Sequence, residues 1–311
     1  MTDLTDWIGR QERTTDTIDL ELVRRMSATL DRNDNWRDGD VLPVTWHWLF
    51  LNEIGRQSKV GLDGHPQRGN FLPPVTQPRR MWAGCRLQWL DSFRVGDVVE
   101  RESTILDVAV KNGRTGEMVL VTVQYLYRSK GQVLLREEQD IVYRAESTLA
   151  EREALVQLAS RARAGGASLV PQRPAAQSLR MNPDPVQLFR YSAVTFNGHR
   201  IHYDAPYAMN VERYPGLLVH GTLLATMLIE FLQSAVCPGQ SVQRYEFSLR
   251  RPTFDIADFY LHASTVDAQG KVLLWTTDNV GEVALDGWAV CGPPTSPFGG
   301  ARSQQPDGMP E

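Results

Sequence analysis

Residues 118–127 read MVLVTVQYLY, an alternation that places Val119, Val121, Val123, Tyr125 and Tyr127 on one face of an extended chain and Met118, Leu120, Thr122, Gln124 and Leu126 on the other. A helix would mix the two sets, so the stretch is read as a β-strand between two environments. Its neighbours, TILDVAV at 104–110 and QVLLREEQDIVY at 132–143, lie across the turn signals Asn112-Gly113 and Lys130-Gly131. The three form an antiparallel meander. One face of it must be covered, and the nearest apolar candidate is 44–54 (VTWHWLFLNEI), read as a buried helix capped by Thr45 and stopped by Gly55. In that helix His47, Trp46 and Trp48 pack the first core. Upstream, Ile18, Leu22, Met26 and Leu30 recur every four residues and predict an amphipathic surface helix over 18–30.

The second half repeats this order. An apolar stretch at 217–236 (LLVHGTLLATMLIEFLQSAV) precedes strand-like runs SVQRYEFSLRRP, FYLHASTV, KVLLWTT and EVALDGWAV. His220, Glu230 and Gln233 interrupt that stretch, whose apolar runs fall short of the roughly 18 residues of a membrane span, so it predicts a buried helix. Helix then meander, twice, suggests duplication of one α+β unit. A chain of 311 residues with 42% hydrophobic side chains has enough apolar surface for two cores. Between the halves the sequence turns to Ala, Arg, Gln and Ser, with Gly165-Gly166 and prolines at 171, 174, 183 and 185, which predicts a short helix and then a linker. The expected organisation is an N-terminal domain at 1–145, a linker at 146–186, a catalytic domain at 187–291 and a tail at 292–311. Nine of the tail's twenty residues are Gly or Pro, which predicts disorder.

Charge narrows the function. With 33 Lys and Arg against 37 Asp and Glu, no basic excess points to nucleic acid. The first residues lack an apolar run of signal-peptide length, so a cytoplasmic protein without membrane association is expected. Cys85, Cys237 and Cys291 are odd in number and lack C-x-x-C spacing, which suggests buried thiols rather than disulfides or a zinc ribbon.

Four of the six histidines, His199, His202, His220 and His262, lie in the second half. The spacing of His199 and His202 matches no common zinc motif, so no metal is expected. In YSAVTFNGHRIHYD (191–204) a β-like run ends at Phe196, Asn197-Gly198 turns the chain and His202 follows. In YPGLLVHGTLLATML (214–228), Pro215-Gly216 leads into a helix whose first turn presents His220 and Gly221. Free N–H groups there could polarise a carbonyl oxygen. By local chemistry alone, Asn197-Gly198 also reads as a simple turn and His202 as a hydrogen-bonded core histidine.

FNGHRIHYD together with PGLLVHG resembles the signature of MaoC-like R-specific enoyl-CoA hydratases and hydroxyacyl-thioester dehydratases. FLPPVTQPRRMWAG (71–84), FRVGDVV (93–99) and REEQDIVYR (136–144) resemble the non-catalytic half of their double hot-dog members. The resemblance implies a double hot-dog fold, each half a long buried helix wrapped by an antiparallel sheet. It also implies an acyl-CoA thioester as substrate, no cofactor, and a water held between Asn197 and His202, with the Gly221 N–H on the thioester oxygen and His220 shaping the helix start. Asn197 stands where the family has an acid, and an amide accepts no proton at neutral pH. His202 would then be the general base alone, with Asp204 a nearby helper. Within the family, relatives acting on branched dicarboxylic CoA esters of the mesaconyl, itaconyl and methylmalyl type look most similar; a second carboxylate would call for Arg190, Arg200 or Arg80. Arg79-Arg80 and Arg250-Arg251 could meet CoA phosphates, or serve as solvated surface charge. Acyl-CoA thioesterase and non-catalytic thioester binder are the alternatives, and either a monomer or a homodimer is compatible.

Overall fold

Alternation in the sequence becomes one antiparallel sheet of ten strands, ordered β1-β3-β4-β5-β2-β7-β10-β9-β8-β6. The computed structural model describes residues 3–67, 70–113, 116–164 and 173–293. In chain order the elements are β1 (Gln11–Thr17), α1 (Leu20–Thr29), β2 (Arg79–Trp89), β3 (Val98–Gly113), β4 (Gly116–Ser129), β5 (Gln132–Arg144), α2 (Leu149–Ala164), β6 (Gln177–Met181), α3 (Pro185–Val194), α4 (Ala205–Asn210), α5 (Gly221–Phe231), β7 (Ser241–Leu249), β8 (Phe259–Ala263), β9 (Lys271–Asp278) and β10 (Val283–Gly292). The strand order mirrors about the β2–β7 pair: β5 matches β10, β4 matches β9, β3 matches β8 and β1 matches β6. At that seam a Cβ on Gly84 would lie 2.6 Å from the Phe247 carbonyl oxygen, so only glycine lets the two halves join there.

The predicted strands of both meanders are present. The segment expected to be a linker holds the anticipated helix, α2, and also strand β6, which pairs with β8. Most of the predicted tail, from residue 294, lies outside the described residues.

The two halves differ underneath the sheet. In the C-terminal half α5 is almost wholly buried, as its predominantly apolar sequence requires, and runs on into a π turn at Leu232–Val236. The matching long helix expected at 44–54 is absent, which corrects the symmetrical double hot-dog picture. Only a 3₁₀ turn, Trp46–Leu49, forms there, between left-handed residues Thr45 (φ 74°) and Leu51 (φ 63°), and Thr45 caps nothing. Every residue from Thr45 to Leu51 is buried.

Side chains hold that turn instead. The Glu137 carboxylate on β5, fully buried, accepts from His47 Nε2 (3.1 Å), Trp48 Nε1 (2.9 Å), Tyr127 OH (2.8 Å), Gln139 Nε2 (2.7 Å) and Cys85 Sγ (3.3 Å). Burial alone would raise its pKa. The hydrogen bonds from His47, Gln139 and Trp48 and the charge of His47 outweigh that and hold it at about 2. Trp46 Nε1 reaches across to Glu230 on α5 (2.9 Å). The Val119, Val121, Val123 face of β4 is covered by Val75, Phe71, Leu72 and the N-terminal Leu4 and Trp7, not by 44–54. The predicted amphipathic surface helix is α1; its Asp19 cap accepts from Leu22 N at 2.8 Å, Val23 and Met26 are buried, and Glu21, Arg24 and Arg25 are exposed on its other face. All three cysteines are free and buried.

Candidate functional site

The approach to His202 is helical where an extended run was expected. Asp184 and Pro185 supply an N-cap and a first-turn proline, and Leu188, Tyr191, Ser192 and Val194 bury one face of α3. The helix stops at Thr195, whose hydroxyl donates to Tyr191 O (2.6 Å), and Phe196 turns the chain at φ 50°. Asn197 accepts on Oδ1 from His199 N (3.0 Å) and donates its own N–H to Ser192 O (2.8 Å). Its side chain therefore builds the turn, and among the described residues no hydrogen bond joins it to His202. One lone pair of Oδ1 stays available for a water.

His202 ends a 3₁₀ turn, Arg200–His202, that pairs with the strand-like approach to α5: Leu218 N donates to Ile201 O (3.0 Å), and Leu218 O receives His202 Nδ1 (2.7 Å). A carbonyl only accepts, so Nδ1 carries the hydrogen and Nε2 carries the lone pair. Burial, opposed by the Leu218 bond and reinforced by the charge of His65, lowers the His202 pKa to about 4. The imidazole is thus a neutral base at pH 7.

His220 lies flat against it, with ring centroids 3.7 Å apart and planes 17° from parallel. His220 is the residue before α5 and caps it with no side-chain bond; its Nε2 pairs with Ser192 Oγ (2.8 Å), and its Nδ1 is buried without a partner. Burial, then the charges of His202 and His199, keep it well below the usual imidazole range. Gly221 is the first residue of α5, where N–H groups have no intrahelical acceptor. A Cβ there would sit 2.7 Å from Leu249 Cδ1 and 3.2 Å from Trp82 Cε3. An uncapped helix start beside a neutral base can hold developing negative charge while a proton is taken.

The predicted arginines separate. Arg200 is committed: it pairs with Asp204 through Nε (2.9 Å) and Nη2 (2.7 Å), donates to Leu62 O (3.0 Å) and covers the Tyr207 ring. Asp204 is occupied by that pair and by capping α4 through Tyr207 N (3.0 Å). Arg190 is exposed on α3, and Arg79 is bound to Ser147, Tyr214 and Glu212. Arg251 pairs with Glu282 (3.1 Å). Arg80, by contrast, has no ion pair among the described residues and lines a cavity of about 120 Å³ with Gly61, Asp63, His65, Pro66 and Gln67.

That cavity wall contains residues the sequence did not single out. The His65 ring lies 4.1 Å from that of His199, which meets His202 edge-on at 5.5 Å. Burial, with the charges of His65, His202 and Arg80, drives the His199 pKa to about 2. Asp63, His65 and His199 offer ligand atoms within 4.8 Å of one another, enough to hold a divalent cation. Only the polarity of DGHP, at 63–66 in the other half of the chain, hinted at them.

Among the described residues no helix is long and apolar enough to cross a membrane. Solved structures share the architecture: HtdX of Mycobacterium tuberculosis aligns with a TM-score of 0.60 at 17% identity over 90% of this chain and 100% of its own. A MaoC-like dehydratase from Phytophthora capsici gives 0.66 at 12% identity over 93% and 98%. A further M. tuberculosis protein described as a double hot-dog gives 0.55 at 12% identity over 92% and 96%. The mesaconyl-C(4)-CoA hydratase of Chloroflexus aurantiacus is 39% identical over 258 residues, 83% of this chain and 87% of the relative. The mitochondrial hydroxyacyl-thioester dehydratase type 2 of Schizosaccharomyces pombe is 26% identical over 234 residues, 67% and 73% of the two chains. The family model for hydroxyacyl-thioester dehydratase type 2 matches residues 45–255, from the buried turn of the first half to the loop before β8, and on that span the chain belongs to the hydroxyacyl-thioester dehydratase type 2 family, built on a double hot-dog fold.

Proposed function

We propose that this protein hydrates a short-chain 2-enoyl-CoA, or dehydrates the corresponding 3-hydroxyacyl-CoA, in the C-terminal half, with His202 Nε2 as general base. The observation that carries the reading is the His202 Nδ1 bond to Leu218 O, which leaves Nε2 unprotonated beside the uncapped start of α5. In the hydration direction Nε2 takes a proton from water as its oxygen bonds to Cβ, and the C=C electron pair moves toward the thioester oxygen. Gly221 N–H meets the charge that develops there, and Asn197 Oδ1 holds the water. Water and the thioester are the only reactants, and the proposed setting is the cytoplasm. The family relation to a mesaconyl-C(4)-CoA hydratase and the uncompensated Arg80 guanidinium favour a dicarboxylic acyl group, its remote carboxylate on Arg80.

The test is a panel of monocarboxylic and dicarboxylic 2-enoyl-CoA esters, following both loss of conjugated thioester absorbance and release of thiol. Absorbance loss without thiol is expected, falling by about 10²–10⁴ in His202→Ala. Thiol release would make the protein a thioesterase, and tight binding without turnover a carrier.

A further inference from the structure

The family position that should hold an acid is Asn197, yet a carboxylate stands close by, delivered from the other half of the chain. The loop 61–66 is pressed onto the Asn197-Gly198 turn by close backbone contact and by Arg200. Gly64, at φ 91°, is so close to Gly198 that a Cβ would overlap the Gly198 carbonyl oxygen, and a Cβ on Gly198 would come within 2.6 Å of Gly64 O. Arg200 N donates to Asp63 O (2.9 Å) and Arg200 Nη1 to Leu62 O (3.0 Å), while Gly61 N donates to His65 O (2.7 Å) and closes the loop. No residue with a side chain fits at either glycine, so the loop has one seat.

What the loop presents is a carboxylate–imidazole pair. Asp63 Oδ2 accepts from His65 Nδ1 (3.1 Å) and Asp63 Oδ1 from His65 N (3.1 Å). Both carboxylate oxygens are therefore turned to His65, whose Nε2 is left directed away from them. Burial opposes ionisation of Asp63, but the His65 hydrogen bond and charge prevail and hold it well below the usual carboxylate range. His65 lines the cavity that Arg80 also lines, and its ring lies 4.1 Å from that of His199, which meets His202 at 5.5 Å.

We propose that Asp63–His65 is the second acid–base group of the reaction, His65 giving the proton that Cα receives and Asp63 holding the ring. This rests on the hydratase reading above. In hydration His202 Nε2 removes a proton from water as the C–O bond forms at Cβ; the electron pair of the broken π bond becomes the Cα carbanion of the enolate. His65, with its Nδ1 hydrogen on Asp63, passes an Nε2 proton to that carbon and keeps a lone pair on Nε2. His202 then releases its proton to solvent and His65 takes one up, so that one water has been added and both imidazoles are restored. His65 is then a catalytic residue and Asp63 a positioning residue. The same three side chains could serve a cation, but both Asp63 oxygens are already bound to His65 and the Arg80 guanidinium shares the cavity. The charged and titratable groups around the pair are Arg80, Arg200, His199, His202 and Tyr207.

The experiment compares full-length wild type, His65→Gln and Asp63→Asn on an enoyl-CoA that wild type hydrates, recording kcat and KM against pH alongside thermal melting. In His65→Gln, kcat is expected to fall about 100-fold with KM within about threefold, and the alkaline limb of the kcat profile, where the acid loses its proton, disappears. Asp63→Asn weakens the bond that holds the ring, so kcat falls about tenfold while KM and the melting temperature stay near wild type. Wild-type kcat and an intact alkaline limb in a folded His65→Gln protein overturn the assignment. If that variant does not fold, wild-type kcat in a folded Asp63→Asn protein overturns it instead. Loss of wild-type activity on chelation, restored by a divalent ion, would reassign the trio to a metal. Wild type silent on every enoyl-CoA defeats the hydratase reading itself, whereas an active wild type with active variants defeats only the role of the pair.

Discussion

Each half of the molecule buries one histidine-bearing polar cluster beneath its part of the sheet, and the two clusters are built differently. In the N-terminal half the Glu137 carboxylate is saturated: five donors surround it, and the imidazole nitrogen left over, His47 Nδ1, belongs to a ring packed among Phe93, Trp89 and Tyr127. In the C-terminal half the polar groups are left short. His202 Nε2 keeps a lone pair, His220 Nδ1 has no partner, and α5 starts without a cap. A saturated buried group stabilises a conformation, and an unsaturated one is available to a substrate. Both halves carry a buried histidine with an unbonded nitrogen; His47 is tied to a carboxylate that holds four other donors, whereas His202 Nε2 stands free beside a helix start without a cap.

The contrast breaks most visibly in paired variants. His202→Ala should remove hydration while the protein still melts cooperatively. Glu137→Ala should do the reverse, costing about 3–5 kcal/mol of folding stability because His47, Trp48 and Tyr127 lose their common acceptor, with kcat retained in whatever protein remains folded. Chemical denaturation and steady-state assay on both variants check this. Equal losses of activity and stability in the two would show that the halves are not divided this way.

Acid titration sharpens the comparison further. His202 and His262 are held at about 4, His199 at about 2, and His220 well below its ordinary value, in each case chiefly by burial. The unfolded chain takes protons near pH 6.5 and the folded one refuses them, so this stability is complete above about 6.5 and is lost as pH falls toward 4. Glu137, lowered to about 2, loses its contribution only below the ordinary carboxylate range. The melting temperature should therefore begin to drop near pH 6.5. His262, bound to Ser178 Oγ (2.7 Å) and Thr277 Oγ1 (2.9 Å) away from the proposed chemistry, gives the control. His262→Gln should reduce the slope between pH 6.5 and 4 by up to about 1.4 kcal/mol per pH unit, and an unchanged slope would contradict the assignment.

The smallest expected effect lies at Thr45. A β-branched residue at φ 74° is strained, and its hydroxyl is buried without a partner. Thr45→Gly should raise stability by about 1 kcal/mol, measured by denaturant midpoint; a loss would mean that Thr45 packing outweighs the strain.

Legibility followed the kind of force at work. Strands β3, β4 and β5 alternate because one face is buried, and α5 is largely apolar because it is enclosed, so both were readable. Residues 44–54 were read as a helix since they are apolar; the partners that unmake it, Glu137 and Glu230, are far off in sequence. Strand β6 is mostly exposed and held by backbone pairing with β8, so QSLRM carries no pattern. In α3 the aromatic and β-branched residues suggested extension, while the Asp184-Pro185 start signal stood inside the presumed linker. At the site, His202, His220 and Gly221 share a local motif, but Asp63 and His65 reach it only through the Gly64–Gly198 contact.

The mirrored strand order about β2 and β7 bears on how such a difference between halves could arise. In a homodimer of identical subunits every substitution appears on both sides of the symmetry axis, so replacing the central helix with a Glu137-pinned turn would remove both helix starts at once. Once the two units share one chain, each position mutates alone. One side is released to become scaffold and to send a loop across to its neighbour, while the other keeps the helix and, on the reading proposed above, the chemistry.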